Sequence, residues 1–129
     1  MNPRSPSRRS FLKTASVLAT AVTVVPRHVL GQGQVPPSQK LNIAGIGVGG
    51  MGAGDVASCA QAGENIVALC DPDANALAAT AKKHPQAKLY SDFRKMLETQ
   101  KDIDAVTIAT PDHVHAVAAS MAMKLGKHV

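Results

Sequence analysis

A cluster of glycines directly after a short apolar run is the feature that most restricts how this chain can fold. Residues 41–46 (LNIAGI) have the character of a buried strand, and the pattern G-x-G-x-x-G follows at Gly47, Gly49 and Gly52. In such a pattern the first glycine makes a tight turn and the second lets a phosphate approach the backbone. The third glycine lets a helix pack closely on the strand. A register starting at Gly45 would cut the strand to four residues, so we favour the later register.

The glycine pattern predicts a dinucleotide phosphate site at the start of the next helix. The helix is predicted over residues 51–61, and the backbone amides of Gly50 and Met51 at its beginning would be free to donate to phosphate oxygens. A P-loop is excluded because the Gly-Lys-Ser/Thr triplet is absent. An S-adenosylmethionine site on the same fold is disfavoured, because residues 44–46 carry no acid before the glycines.

A carboxylate at the expected distance supports the dinucleotide interpretation. Asp71 lies 19 residues beyond Gly52, close to the spacing of about 20 at which an acid binds the ribose 2′-hydroxyl of NAD. A carboxylate there repels a 2′-phosphate, and no arginine stands in residues 71–74, so NAD is favoured over NADP. The alternative is that Asp71 only opens an Asp-Pro turn.

Strand-like and helix-like segments alternate through the rest of the chain. Asp73 is placed to cap a helix, and Gly126 to end the last one. This alternation predicts an α/β fold with a Rossmann-type parallel sheet, in which the chain ends after the fourth strand and the start of a fifth. Further strands are predicted over residues 66–70, 88–90 and 103–109, with helices over 74–83, around 93–97, and over 114–125. In the last helix, Val114, Val117, Ala118, Met121, Ala122 and Leu125 form an apolar stripe.

Cys59 and Cys70 lie where small buried residues are expected, so we interpret both as thiols that pack in the core rather than as a disulfide.

The segment Thr110-Pro111-Asp112-His113-Val114-His115 follows the last predicted strand. Ligands bind outside the carboxyl ends of the strands in open α/β sheets, so this loop should face the glycine loop across a cleft. Three interpretations of its histidines remain open. A metal site is disfavoured, because the two imidazoles point apart on a helix and no cysteine or carboxylate partner is evident. The others are a helix capped by Asp112 with solvated imidazoles, and contact of one histidine with the cofactor.

The first 31 residues have the layout of an export signal. Residues 7–13 read S-R-R-S-F-L-K, the full twin-arginine pattern, and an apolar run of 12 residues follows at 14–25. That run is shorter than the roughly 17–25 residues of a spanning helix, so we expect no stable membrane anchor. We predict a signal over residues 1–31, recognised by the bacterial Tat translocase through Arg8 and Arg9, a linker over 32–39, and a periplasmic protein.

The charge distribution argues against nucleic-acid binding by residues 32–129. The formal net charge of +5 resides in residues 1–31, which hold five of the 14 basic residues and no acid. Residues 32–129 hold nine basic and nine acidic residues and only two aromatic ones, so they offer neither a basic patch nor a stacking platform.

With these motifs in place, the chain resembles the nucleotide-binding half of the Gfo/Idh/MocA oxidoreductase family. The segments that carry the resemblance are KLNIAGIGVGGMG (40–52), ALCDPD (68–73), YSDFRKML (90–97), IDAVTIATPDHVHA (103–116) and GKHV (126–129). The resemblance implies that Gly47, Gly49 and Gly52 with Asp71 hold the adenosine diphosphate half of NAD. It implies that Thr110, Pro111 and His115 line the nicotinamide side.

The resemblance also implies what surrounds this domain in the family. The family acts on CH–OH groups of sugars or polyols, some members use NAD to cleave glycosides, and full-length members are expected to be homo-oligomers. An E-K-P motif with the catalytic lysine, and then a substrate domain, follow G-K-H-V in the family. Both lie beyond Val129, so we treat residues 40–129 as an incomplete Rossmann domain, expect the catalytic domain to be absent, and assign no catalytic residue. A catalytically silent nucleotide-binding module or a non-functional gene fragment are the alternatives.

Overall fold

Strands and helices alternate along the described part of the chain, which in this computed structural model is residues 39–129. The predicted signal peptide and residues 32–38 of the predicted linker lie outside the described residues. The four helices of this region include none that is long and apolar enough to cross a membrane. The elements are β1 (Asn42–Ile46), α1 (Met51–Gln61), β2 (Asn65–Cys70), α2 (Ala74–Ala81), β3 (Lys88–Tyr90), α3 (Phe93–Thr99), β4 (Ala105–Ile108) and α4 (Asp112–Lys124).

The four strands form one parallel sheet in the order β3-β2-β1-β4. Ile46 at the end of β1 lies opposite Cys70 on one side and Ile108 on the other, so these three strands end level with one another. His128 forms a parallel bridge with Ala105, which is the start of a fifth strand beside β4. The predicted Rossmann-type α/β fold is therefore confirmed. Strand order reverses beside β1, the place where open parallel sheets bind ligands.

Apolar side chains cover both faces of the sheet, as a parallel sheet requires. On one face, Met96 and Leu97 of α3 and Ala118 and Ala122 of α4 pack against the strands in a buried cluster. The opposite face carries a second buried cluster that includes Val56 of α1, the strand residues Ile43, Ile66 and Leu69, and Val48 of the glycine loop. The sheet is thus the central layer of three, and its carboxyl edge is the part left open.

The predicted apolar stripe of α4 was only partly right. Ala118 and Ala122 are fully buried, whereas the side chains of Val117 and Leu125 are 59% and 42% exposed. The reason is that α4 rests on the sheet through a narrow row of alanines, so the larger side chains at the same helical period lie beside the contact rather than in it. Gly126 follows the helix with a φ of 74°, as the predicted helix end requires.

Aspartate side chains cap two of the helices. They do not cap α4, for which capping by Asp112 was one of the open interpretations. The carboxylate of Asp73 accepts a hydrogen bond of 2.8 Å from the Asn75 amide and caps α2, as predicted. The carboxylate of Asp92 caps α3 in the same way. Capping of α4 by Asp112 was wrong: Pro111 occupies the cap position, and Asp112 is the first helical residue. Its charge still lies in the first turn, where it interacts favourably with the helix dipole.

The predicted role of the cysteines is confirmed, since both are free thiols. Cys70 is 3% exposed and belongs to the core cluster, and Cys59 on α1 packs at the edge of the other cluster.

The approach of α1 to the end of β1 depends on Gly52. A Cβ atom at this position would lie 1.7 Å from the carbonyl oxygen of Gly47 and 3.0 Å from the Cβ of Ala109. Both contacts involve backbone or a short side chain, so no rotamer change can relieve them. Gly54 lies two residues further along the same helix, and a Cβ atom there would meet no atom within 4 Å.

We predict opposite effects of alanine at these two glycines. Gly52→Ala forces α1 away from β1 and should lower the free energy of unfolding by about 3 kcal/mol. Gly54→Ala is the matched control, because the same added methyl meets nothing and removes backbone freedom from the unfolded chain. It should raise stability by about 0.5–1 kcal/mol. Urea unfolding of both variants measures the difference, and equal midpoints would contradict the packing role of Gly52.

Candidate active site

A cleft of about 510 Å³ opens at the carboxyl edge of the sheet. Its walls come from the loops after all four strands, so the fold brings together segments that lie far apart in sequence. The lining residues are Ile46, Gly47, Gly49, Cys70, Asp71, Pro72, Ser91, Asp92, Phe93, Arg94, Ala109, Thr110, Pro111, His113 and Val114. Its volume lies within the usual range for small-molecule and cofactor sites.

The first glycine of the pattern makes the turn out of β1. Gly47 has a φ of 78°, a conformation that side-chain-bearing residues rarely adopt, and its amide donates to the Cys70 carbonyl at 2.8 Å. A Cβ at Gly47 would lie 2.6 Å from the carbonyl oxygen of Ala109. The turn therefore bridges the ends of β2 and β4, and it leaves no room for a larger residue.

The amides of Gly50 and Met51, which follow the turn, take no part in the hydrogen-bond network of the described residues. α1 begins at Met51, and within residues 39–129 neither the Gly50 nor the Met51 amide has an acceptor. The first amides of a helix lack intrahelical partners and carry the positive end of the helix dipole. Gly49 lines the cleft just before them, so an anionic group held there would meet backbone donors without a side chain between.

The carboxylate of Asp71 is buried and is bound by three backbone amides. Its Oδ2 accepts from Val48 at 2.8 Å and Gly49 at 3.1 Å, and its Oδ1 accepts from Asp73 at 2.9 Å. The sequence pattern placed Asp71 at the cleft but did not reveal this second role, the anchoring of the glycine loop to the end of β2. An ionised carboxylate offers about four acceptor positions. Three are used here, and the remaining one is on Oδ1.

The loop after β4 supplies the opposite wall of the cleft. Thr110 and Pro111 line it, and the Thr110 Oγ1 atom is buried without a hydrogen-bond partner in the described region. The structure places His113 in the lining and leaves His115 outside it. The Nδ1 atom of His115 lies 3.4 Å from the Thr110 carbonyl oxygen, so its contact with the cleft runs through Thr110.

The loop after β3 contributes a side of the cleft that sequence reasoning missed. Ser91 to Arg94 line it, and Arg94 Nε forms an ion pair with Asp92 Oδ1 at 3.0 Å while its guanidinium lies over the Phe93 ring. The backbone amide and side chain of Arg94 lower the pKa of the Asp92 carboxyl. An Asp immediately before an apolar helical face is a capping signal, and it could have located this loop.

Cys70 lies at the floor of the cleft and is unsuited to nucleophilic chemistry. Burial, together with the charges of Asp92 and Asp71, raises the pKa of its thiol to about 12. The thiolate is the reactive form of cysteine, so at neutral pH this side chain is an inert, neutral part of the floor. No group of three or more metal-ligating His, Cys, Asp or Glu side chains occurs in the portion of the chain that the structure describes.

Solved structures of dehydrogenases share this architecture. The WlbA dehydrogenase from Bordetella pertussis, solved with NADH and UDP-GlcNAcA, matches 70% of this chain and 28% of its own length, with 28% identity and a TM-score of 0.64. The myo-inositol dehydrogenase from Lactobacillus casei, solved with NAD(H) and myo-inositol, matches 68% of this chain and 26% of its own, with 27% identity and a TM-score of 0.62.

Curated relatives match most of the chain. The glycosyl hydrolase family 109 protein 1 of Bacteroides fragilis is 36% identical over 92% of this chain, and the glycosyl hydrolase family 109 protein of Saccharopolyspora erythraea is 30% identical over 95%. The chain spans 30% and 32% of the lengths of these two proteins.

A family model described as "Oxidoreductase family, NAD-binding Rossmann fold" matches residues 41–129, the whole region from β1 to the bridge beside β4. That region contains the glycine loop, Asp71 and the Thr110–His115 segment. The chain therefore belongs to the Gfo/Idh/MocA oxidoreductase family, and residues 41–129 are its NAD-binding Rossmann domain.

Proposed function

We propose that the cleft binds NAD(H) in preference to NADP(H), with the diphosphate at the start of α1 and the adenosine ribose at Asp71. The observation that carries this proposal is the pairing of two open amides, Gly50 and Met51, with a carboxylate that keeps one acceptor position. The phosphates would accept from those amides past Gly49, and Gly47 and Gly52 supply the turn and the close helix packing. NAD supplies a hydride acceptor or donor when it is bound.

Charge at the ribose end supports the preference for NAD. The Asp71 carboxylate favours a hydroxyl that donates to it and opposes a 2′-phosphate. Arg94 lines the same cleft, but its guanidinium pairs with Asp92, so its charge is already balanced. The nicotinamide end is proposed to lie against Thr110 and Pro111, where the buried Thr110 hydroxyl lacks a partner. His115 would orient the Thr110 backbone, and His113 is the imidazole that reaches the cleft.

We predict that the chain binds NADH saturably and NADPH at least about tenfold more weakly, a difference of about 1.4 kcal/mol. Asp71→Ser should weaken binding of both dinucleotides, because it removes the anchor of the glycine loop, and should bring the two affinities together, because it removes the charge that repels the 2′-phosphate. Asp73→Ser is the matched control. It changes a neighbouring carboxylate that caps α2 and lies outside the cleft lining, and it should preserve the preference. Fluorescence titration with both dinucleotides measures the ratio, and equal affinities in the wild-type chain would refute the assignment.

The whole protein is proposed to act on a CH–OH group of a sugar or polyol. The inositol and UDP-sugar dehydrogenases among the structural neighbours support this substrate class. A second candidate is NAD-dependent glycoside cleavage, favoured by the names of the family 109 relatives. In both cases we propose that this domain holds the nucleotide and that the substrate-binding residues lie in the part of those relatives that the chain does not span.

The two candidates predict different products from the protein expressed with its complete reading frame. A dehydrogenase reduces one NAD for each sugar or polyol oxidised, so NADH absorbance rises in proportion to product. A glycosidase that uses NAD catalytically releases the aglycone of an aryl glycoside with no net NADH. Measuring NADH and free phenol together separates them, and neither signal with a panel of both substrate types would count against both candidates.

Export through the Tat pathway is also proposed, on the S-R-R-S-F-L-K pattern of residues 7–13. We predict that Arg8→Lys with Arg9→Lys abolishes delivery of the protein to the periplasm, because the translocase reads the arginine pair as an address. Arg4→Lys is the control, since it makes the same change outside the pattern and should leave export intact. Fractionation of bacterial cells checks this, and export of the double variant at the wild-type level would refute it.

A further inference from the structure

Val48, between the first two glycines of the loop, is held at its side chain, its amide and its carbonyl. The side chain is 1% exposed and packs in the core cluster with Val56 and Leu69. The amide donates to Asp71 Oδ2 at 2.8 Å. The carbonyl oxygen accepts a hydrogen bond of 2.9 Å from the hydroxyl of Thr80. A residue that the glycine pattern leaves unspecified is therefore firmly fixed.

Thr80 reaches this carbonyl from the last turn of α2. Its side chain is buried, with 4% exposure, and it is the only buried residue of that helix. A threonine within a helix commonly donates its hydroxyl to a carbonyl of the preceding turn. Here the hydroxyl donates across to another segment, 32 residues away in sequence. The bond is buried, so water cannot readily replace either partner.

The Thr80 bond controls the plane of one peptide group. The Val48 carbonyl and the Gly49 amide belong to the same planar peptide unit and point in opposite directions. Thr80 holds the carbonyl edge, and Asp71 Oδ2 holds the amide edge at 3.1 Å. Rotation of this peptide would break both bonds and would change the direction in which the chain enters Gly50 and Met51.

We propose that Thr80 is a positioning residue for the dinucleotide, because it locks the Val48–Gly49 peptide and so preorganises the phosphate-binding amides. This inference rests on the proposed binding of NAD(H). Thr80 does not line the cleft, and it acts through Val48. The lock also keeps Asp71 Oδ2 engaged with the loop, so that Oδ1 carries the acceptor position left for the ribose.

The test uses the full 129-residue chain, amide hydrogen exchange and NADH titration. Thr80→Val keeps the shape of the side chain and removes the hydroxyl. It should speed exchange of the Gly49 amide and weaken NADH binding, each by about tenfold, the effect expected from one net hydrogen bond. Thr80→Ser keeps the hydroxyl and should leave the Gly49 exchange rate and the NADH affinity near their wild-type values. Exchange of the Leu69 amide in the sheet should stay unchanged.

Thr99→Val is the matched control, because Thr99 donates its hydroxyl to the Lys95 carbonyl on the exposed side of α3, away from the cleft. It should leave Gly49 exchange and NADH affinity unaltered. If Thr80→Val does not fold, the wild-type measurement still decides, since a Gly49 amide that exchanges at the rate of an unprotected chain overturns the lock.

The outcomes separate this inference from the function on which it rests. Failure of the wild-type chain to bind NADH overturns the proposed function and the positioning role together. Wild-type NADH binding that Thr80→Val leaves unchanged overturns the positioning role alone. Faster Gly49 exchange and weaker NADH binding in Thr80→Val, with near-wild-type values in Thr80→Ser, support both.

Discussion

The carboxylate of Asp71 is the junction on which the cleft depends. It binds the Val48 and Gly49 amides of the loop after β1 and the Asp73 amide of the loop after β2, so one side chain joins the loops that follow two neighbouring strands. Because the carboxylate is buried, these hydrogen bonds compete little with water, and hydrogen bonds to a charged acceptor are stronger than neutral ones. The acid that the sequence pattern assigns to the ribose thus also builds the loop that is proposed to bind the phosphates.

This junction divides the glycine loop into a held half and an open half. The amides of Val48 and Gly49 are used by Asp71, and that of Gly52 donates to the Gly49 carbonyl. Between them, Gly50 and Met51 keep amides without acceptors in the described part of the chain. A loop with every amide paired internally could not bind an anion, and a loop with none paired would not hold one shape. Partial pairing gives both rigidity and free donors, which is the preorganisation that favours binding.

Much of this arrangement could be predicted from the sequence, and the parts that could not have a common physical cause. Local signals located the strand before Gly47, the start of α1 and the cap at Asp73, because turns and helix starts depend on residues that are adjacent in sequence. The hydrogen bond from Thr80 to Val48 left no such signal, since it joins residues far apart and replaces a bond that a helical threonine usually makes within its helix. Periodicity also overestimated the buried face of α4. It counts apolar residues at the right spacing, but the alanines Ala118 and Ala122 bring the helix so near the sheet that Val117 lies beside the contact. The loop after β3, which includes Arg94, lines the cleft because β3 lies beside β2 in the sheet. Hydrophobic periodicity does not encode this strand order.

The groups that surround the cleft differ from loop to loop in a way that suits the proposed dinucleotide. The loops after β1 and β2 contribute Gly49 and the Asp71 carboxylate, the loop after β3 contributes the Asp92–Arg94 ion pair, and the loop after β4 contributes the Thr110 hydroxyl and Pro111. Cys70 lies beneath the turn at Gly47, and its thiol stays protonated because burial and the charges of Asp92 and Asp71 raise its pKa to about 12. An ionised thiol there would place a negative charge in the lining of the cleft. The burial that makes Cys70 chemically inert therefore also keeps a negative charge away from the floor of the cleft, which favours the anion site proposed at the start of α1.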